Sequence, residues 1–113
     1  MRNPIRRVLS HSFLKNTLDH LRTKKRLRAW TEEDERMRRF YSGFVSPNDL
    51  VFDVGANVGN RSKVFLQLGA RVVAVEPQEE CVRILRSVLG TNEGFHIVQK
   101  VLGASEGDTK ILL

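Results

Sequence analysis

The sequence is poor in cysteine and proline, and it has no long apolar run. Its 113 residues include one cysteine, Cys81, which excludes an internal disulfide and a cysteine-built zinc site. No apolar stretch approaches the roughly 20 residues that a membrane-spanning helix needs, and no His, Asp and Glu cluster has the spacing of metal ligands. With 41% hydrophobic and 28% charged residues, the composition is typical of one soluble domain, for which a reduced, cytoplasmic setting is the default expectation.

Acidic residues are scarce in the N-terminal part of the chain. Residues 1–45 carry 12 Lys and Arg against 5 Asp and Glu, whereas residues 46–113 carry 7 against 8. The net charge of +6 therefore belongs to the N-terminal segment. Since Leu14, Leu18 and Leu21 fall on one helical face, residues 1–30 are predicted to form a basic amphipathic helical segment.

Three interpretations of this basic segment stay open. The first is a solvated helix packed on the domain. The second is a contact for a membrane surface or an acidic partner through residues 1–28. The third is an Arg-rich, acid-poor mitochondrial transit peptide. Nucleic-acid binding is disfavoured, because no aromatic residue is interleaved with the basic cluster and no reading motif is present.

A helix with clear signals follows the basic segment. Thr31 can cap it, and Asp34 stands three residues later, as in a capping box. Apolar side chains then follow the helical spacing of a buried stripe. The members of that predicted stripe are Met37, Phe40, Tyr41 and Phe44.

From residue 50 onward, short runs of β-forming residues alternate with helical patterns. The predicted elements are a strand over Leu50–Val54, a helix over Arg61–Leu68, a strand over Arg71–Val75, a helix over Gln78–Leu89, and strands over Phe95–Val101 and Thr109–Leu113. The first strand is predicted to be buried on both faces, and Cys81 is predicted to lie in the core. This order predicts an α/β fold with a partial Rossmann-like parallel sheet of three to four strands, preceded by N-terminal helices.

Two acidic residues and a glycine loop fall at the carboxyl ends of the first two strands, where open parallel sheets bind ligands. The stretch VFDVGANVGN places Asp53 at the end of the first strand and Gly55 and Gly59 in the loop after it. Such glycines permit a tight turn and close approach of a ligand. Glu76 ends the second strand, 23 positions after Asp53. An acid at about this distance accepts hydrogen bonds from ribose hydroxyls.

The loop differs from a dinucleotide-binding fingerprint. Asn57 and Asn60 stand where its second and third glycines belong. Asp53 lies two residues before Gly55, where a carboxylate suits a cationic group better than a pyrophosphate. The pattern therefore indicates a ligand with an amino-acid ammonium or a sulfonium group.

The stretch DLVFDVGANVGN resembles the first motif of class I S-adenosylmethionine-dependent methyltransferases. In particular it is similar to the FkbM family, in which an Asp-Val-Gly-Ala-Asn-x-Gly form is characteristic. The stretch RVVAVEP resembles the second motif, and VLGASEGDTKILL resembles the segment that leads into the third and fourth strands. The similarity covers about residues 37–113 and leaves the first 30 residues outside.

The resemblance implies a cofactor and a set of binding residues. The cofactor would be S-adenosylmethionine, and the reaction would be O-methyl transfer to a hydroxyl of a small molecule or glycan. Glu76 would bind the ribose hydroxyls, and Val101 and Leu102 would lie near the adenine. The residues that would hold the methionine end are Asp53, Gly55, Ala56, Asn57 and Gly59.

Chains of this family continue past the end of this one, so residues 31–113 are expected to form an incomplete cofactor-binding domain. The acceptor half would then come from a missing C-terminal part, or the chain would self-associate. Two other classes of function stay open. One is a non-catalytic cofactor-binding module that acts through a partner, and the other is a membrane- or nucleic-acid-associated interaction protein that uses the basic N-terminus.

Overall fold

The computed structural model describes residues 17–100, in which strands and helices alternate. The elements are α1 over residues 17–28, α2 over Glu32–Tyr41, β1 over Leu50–Val54, α3 over Asn60–Gln67, β2 over Arg71–Val75, α4 over Glu79–Leu89 and β3 over Phe95–Val98. This order confirms the predicted α/β class. The predicted strand Thr109–Leu113 lies outside the described residues. Between residues 17 and 100, every helix is too short or too polar to cross a membrane.

Within the described residues, the three strands form a parallel sheet in the order β1-β2-β3. Phe52 lies opposite Val73, and Asp53 lies opposite Ala74. Val73 in turn lies opposite His96 of β3. Because the strands are parallel and in register, the residues that follow β1 and β2 emerge at the same edge of the sheet.

The core lies between one face of the sheet and helices α3 and α4. Val72 and Ala74 of β2 belong to one buried cluster with Phe65 of α3 and with Leu85 and Leu89 of α4. Burial of one such Val, Leu or Phe side chain contributes about 1.5–3 kcal/mol. This packing fixes the ends of β1 and β2, where the candidate site lies.

The start of α2 is fastened to α3. The predicted capping box is present: Asp34 N–H donates to Thr31 Oγ1 at 3.1 Å, and Thr31 N–H donates to Asp34 Oδ2 at 2.9 Å. The same carboxylate pairs with Lys63 Nζ of α3 at 2.5 Å. Lys63 also donates to the Ala29 carbonyl at 2.7 Å and lies 5.5 Å from the centroid of the Trp30 ring. One ammonium group, on a side chain that is 10% exposed, thus joins α3 to the junction between α1 and α2.

Opposing effects set the pKa of the Asp34 carboxyl. Burial raises it, because desolvation disfavours the charged form. Hydrogen bonds from Lys63 and Thr31 outweigh that effect, so the pKa lies below its ordinary value.

The predicted burial of the α2 stripe is wrong at two positions. Phe40 and Phe44 are exposed, and their rings contact each other. Tyr41 does face the domain, where its ring packs edge-on against Phe65 with centroids 4.8 Å apart. The helix is held to the domain by Tyr41 and by the Asp34 carboxylate, so a fully apolar stripe is not required.

The prediction that β1 is buried on both faces is also wrong. Leu50, Phe52 and Val54 are 41%, 40% and 52% exposed, whereas Asp53 on the other face is buried. The physical reason is position, because β1 is an edge strand among the described strands and α3 and α4 cover only one face.

Candidate functional site

The glycine loop after β1 is pinned to the end of β2. The N–H groups of Gly55 and Ala56 both donate to the Val75 carbonyl, at 2.8 and 3.1 Å. Gly55 has a φ of 70°, in the left-handed region that favours glycine. Apart from Gly55 and its two chain neighbours, no heavy atom of the described residues lies within 4 Å of the place that a Cβ on Gly55 would occupy. The loop therefore leaves open space at Gly55.

Gly59 serves a different purpose from Gly55. Its φ is 101°, and a Cβ there would lie 2.8 Å from Leu85 Cδ2 and 3.0 Å from Leu89 Cδ1. The glycine is required because α4 packs directly against the start of α3. Gly59 is also the N-cap of α3 and supplies no side-chain acceptor. The first N–H groups of that helix are therefore left without a side-chain cap, as an anion-binding helix start requires.

Asp53 lies on the helix-facing side of β1 and is 3% exposed. Its Oδ2 accepts a hydrogen bond from Ser62 Oγ at 2.7 Å. Its Oδ1 lies 3.4 Å from Arg61 Nη2. Both oxygens thus have partners on α3, and the carboxylate fixes the first turn of that helix. A direct contact between Asp53 and a ligand cation stays a prediction and requires the half-exposed Arg61 to move aside.

Glu76 follows β2 and ties the two loops of the site together. Its Oε1 accepts a hydrogen bond from Asn57 N–H at 2.7 Å, and its Oε2 accepts one from Gln78 N–H at 2.9 Å. Asn57 has a φ of 55°, a left-handed conformation. A carboxylate has about four acceptor positions, so about two stay available. Glu76 therefore holds the glycine loop without using all of its acceptor positions.

Cys81 lies at this site and not in the core as predicted. It is half-buried, and its Sγ lies 3.3 Å from Asn57 Oδ1 and 3.5 Å from Gln78 Oε1. The physical reason is its place in the first turn of α4, which points toward the loops. Burial, with Glu76 and Glu80 nearby, raises the pKa of the thiol. The thiol is therefore protonated at neutral pH.

The predicted loop and the two predicted acids lie at one edge of the sheet, but three of their partners were not predicted. Asn57 and Glu76 were predicted to belong to one site, but no sequence pattern indicates the hydrogen bond between them. Arg61, Ser62 and Cys81 were missed as site residues. Their signal is positional, since each lies in the first turn of a helix that follows a strand of the site. Val101 and Leu102, the predicted adenine contacts, lie outside the described residues.

Two depressions flank the site. One has a volume of about 370 Å³ and adjoins the start of α3, and it is lined by Arg26, Thr31, Glu33, Asp34, Met37, Asn60 and Lys63. The other has a volume of about 270 Å³ and lies at β1, and it is lined by Tyr41, Phe52, Asp53, Val54, Arg61 and Phe65. Within residues 17–100, no group of three or more His, Cys, Asp or Glu side chains is placed to hold a metal ion.

A parallel β1-β2-β3 sheet, a glycine loop after β1 and an acid after β2 define a class I methyltransferase-like Rossmann fold. The solved structures that match include the crystal structure of a "putative RNA methyltransferase" from Pyrococcus horikoshii. The two chains are 28% identical and superpose with a TM-score of 0.52. The match covers 58% of this chain, and this chain spans about a third of that protein (35%).

The sequence comparisons add no family assignment. No protein-family model matches the chain, and no curated protein matches it significantly. The methyltransferase-like fold therefore rests on the structural match and on the geometry of the site.

Proposed function

We propose that this chain is the cofactor-binding part of an S-adenosylmethionine-dependent methyltransferase. The observation that carries the proposal is the carboxylate of Glu76. It is buried at the carboxyl end of β2, holds the glycine loop through Asn57 N–H and keeps about two acceptor positions available. This is the arrangement that a ribose diol needs beside a loop with open space at Gly55.

The residues present fit the parts of that cofactor. Glu76 would bind the ribose hydroxyls, and the Gly55–Gly59 loop would hold the methionine end. The uncapped first turn of α3 would face the methionine carboxylate. When bound, the cofactor supplies a methyl group on a sulfonium. The chain's own contribution is to position that cofactor and to exclude water from one side of it.

Two kinds of methyl acceptor are compatible with this proposal. The FkbM resemblance favours O-methyl transfer to a hydroxyl of a small molecule or glycan. The Pyrococcus horikoshii protein is described as a "putative RNA methyltransferase", which favours RNA as the alternative acceptor. Methylation assays of this chain, mixed with a candidate C-terminal half, against sugar and RNA acceptors separate the two. If the chain binds the cofactor but neither acceptor is methylated, a non-catalytic cofactor-binding module is favoured.

The first experiment is a thermal melt of the 113-residue chain with and without S-adenosylhomocysteine. A ligand that binds only the folded state at a hundredfold excess over its Kd stabilises it by about 2.7 kcal/mol, so the midpoint is expected to rise. The rise is expected to vanish in Glu76→Gln, which removes one acceptor from the diol site. Glu93→Gln is the matched control, since Glu93 is an exposed acid remote from the loop. An unshifted midpoint in the native chain would refute cofactor binding.

A further inference from the structure

The outward face of α1 combines leucines with cations. Leu27 of this helix is buried, whereas Leu18 and Leu21 are 53% and 56% exposed. Arg22 and Lys25 are exposed as well, and the spacing of the four residues places them on one side of the helix. We call Leu18, Leu21, Arg22 and Lys25 the α1 cationic face.

The opposite side of α1 is already used by the domain. His20 Nε2 lies 4.0 Å from Glu80 Oε2 of α4, on the same side of the helix as the buried Leu27. Arg28, at the C-terminal end of the helix, donates from Nη2 to Ser87 Oγ at 3.5 Å. Leu27 and His20 therefore set the rotation of the helix about its axis. The packing of the opposite side therefore holds the α1 cationic face in an orientation that points away from the core.

The cations of this face differ in their ion pairing from cations on α2 and α4. On α2, Arg36 pairs with Glu33 at 2.6 Å, and on α4, Arg83 pairs with Glu79 at 3.0 Å. Among residues 17–100, no acid forms an ion pair with Arg22 or Lys25. The sequence of residues 1–28 contains a single acid, Asp19, so the local charge is not neutralised from that segment either.

We propose that the α1 cationic face binds the surface of an anionic phospholipid bilayer. The cations complement the lipid headgroups, and the exposed leucines enter the boundary between headgroups and acyl chains, as in interfacial amphipathic helices. Nucleic acid would use the charges alone. It gains nothing from exposed leucines, and residues 17–28 contain no Phe, Tyr or Trp ring on which a base could stack. This proposal is independent of cofactor binding.

The test is co-sedimentation of the whole chain with vesicles of phosphatidylcholine, with or without about 30% phosphatidylserine. Binding is expected only to the anionic vesicles and is expected to weaken as salt rises. Each cation near such a surface contributes about 1 kcal/mol, or about fivefold, so Arg22→Gln/Lys25→Gln is expected to weaken binding roughly 25-fold. Leu18→Ser/Leu21→Ser is expected to weaken vesicle binding roughly tenfold or more. This loss is measured at low salt, where the charges contribute most, so that it reports the apolar contribution of the leucines.

Matched variants separate this face from net charge and general apolarity. Arg36→Gln/Arg83→Gln removes the same two charges from exposed ion pairs, and Phe44→Ser removes an exposed apolar side chain elsewhere. Both are expected to bind within about twofold of the native chain. Circular dichroism confirms that each variant keeps its helices.

Three results would overturn the proposal. The folded chain fails to bind anionic vesicles at low salt. The control Arg36→Gln/Arg83→Gln loses as much binding as Arg22→Gln/Lys25→Gln, so that only net charge matters. The leucine variant binds vesicles normally while the native chain binds RNA more tightly than lipid, which would assign the face to nucleic acid.

Discussion

The two faces of the sheet are built from the same kinds of residues but have different surroundings. On the face toward α3 and α4, Val72 and Ala74 are fully buried. On the opposite face, Phe52 and Val54 of β1 stay about half exposed, although Val73 and Val75 beside them on β2 are buried. Alternation along a strand therefore says which residues share a face, whereas burial depends on what lies over that face.

The exposed positions of this opposite face, Phe52 and Val54, which we call the bare face, lie beside Tyr41 and, next to it, the exposed ring of Phe40. Phe40 packs edge-on against Tyr41, which contacts Phe65 and borders the depression at Phe52 and Val54. Large contiguous apolar patches on a protein surface mark sites of interaction. We therefore expect this face to favour self-association of the chain.

The largest expected difference between the two faces is in core stability. Leu85→Ala removes a fully buried side chain under the covered face and is expected to cost about 2–5 kcal/mol of unfolding free energy. Phe52→Ala on the bare face is expected to cost about 1 kcal/mol or less, since its contacts there are few. Urea unfolding of both variants measures the contrast, and equal losses would show that the bare face is covered in solution.

On the covered side, Lys63 also fastens α3 to the start of α2 with a side chain that is 10% exposed, and removing its ammonium group sharpens the comparison. Lys63→Met is expected to cost about 3 kcal/mol, because it leaves the Asp34 carboxylate buried without its ammonium partner. The control is Arg83→Met, which breaks an exposed pair and is expected to cost under about 1 kcal/mol. Similar costs in urea unfolding would contradict a buried pair.

A smaller contrast is expected between the two glycines of the loop. Gly59→Ala is expected to cost about 1–3 kcal/mol, since its Cβ overlaps Leu85 and its φ is 101°. Gly55→Ala is expected to cost about 1 kcal/mol, because φ is positive there but the space is open. Thermal midpoints rank the two variants, and the reverse order would argue against the close packing of α4 on this loop.

Asp34 is expected to make stability depend on pH. Its pKa in the folded chain is below the ordinary value, so its contribution is present above the unfolded pKa of about 4 and is lost as pH falls through the folded value. Asp34→Asn is expected to flatten the fall of the unfolding free energy between neutral and acid pH. Glu93→Gln, at an exposed acid, serves as the control and is expected to leave the slope unchanged.

The smallest effect on stability is expected on the bare face, together with a clear effect on association. Phe52→Ser is expected to change the unfolding free energy by about 1 kcal/mol or less while it reduces self-association of the chain. Sedimentation at increasing protein concentration measures the association. If the native chain and this variant sediment alike as monomers, a second copy is not what covers the face.

Local signals predicted the elements well, because each is set by residues close in sequence. Leu50–Val54 and Arg71–Val75 were predicted with the observed bounds, and α3 differs by one residue at each end. The capping box at Thr31 was also readable, since Asp34 is only three residues away. The glycine loop and Glu76 could be assigned to one edge because the carboxyl ends of parallel strands meet there.

What the sequence could not predict depends on contacts between distant residues. The exposure of Phe52 comes from its place on an edge strand among the described strands, since Val73 beside it on β2 is buried, and no pattern in β1 records that place. The Glu76–Asn57 bond joins positions 19 residues apart and depends on the left-handed turn at Asn57. Lys63 was missed because its partners are distant in sequence: Ala29 lies just after α1, and Asp34 lies in α2.

The position of Cys81 makes the site open to chemical labelling. As the only cysteine of the chain, it offers a thiol reagent one target, and that target lies 3.3 Å from the Asn57 side chain of the glycine loop. Its raised pKa makes the reaction slow at neutral pH and faster in mild alkali. A fluorophore attached there would report occupancy of the loop without any engineered residue, so a binding isotherm could be measured on the native sequence.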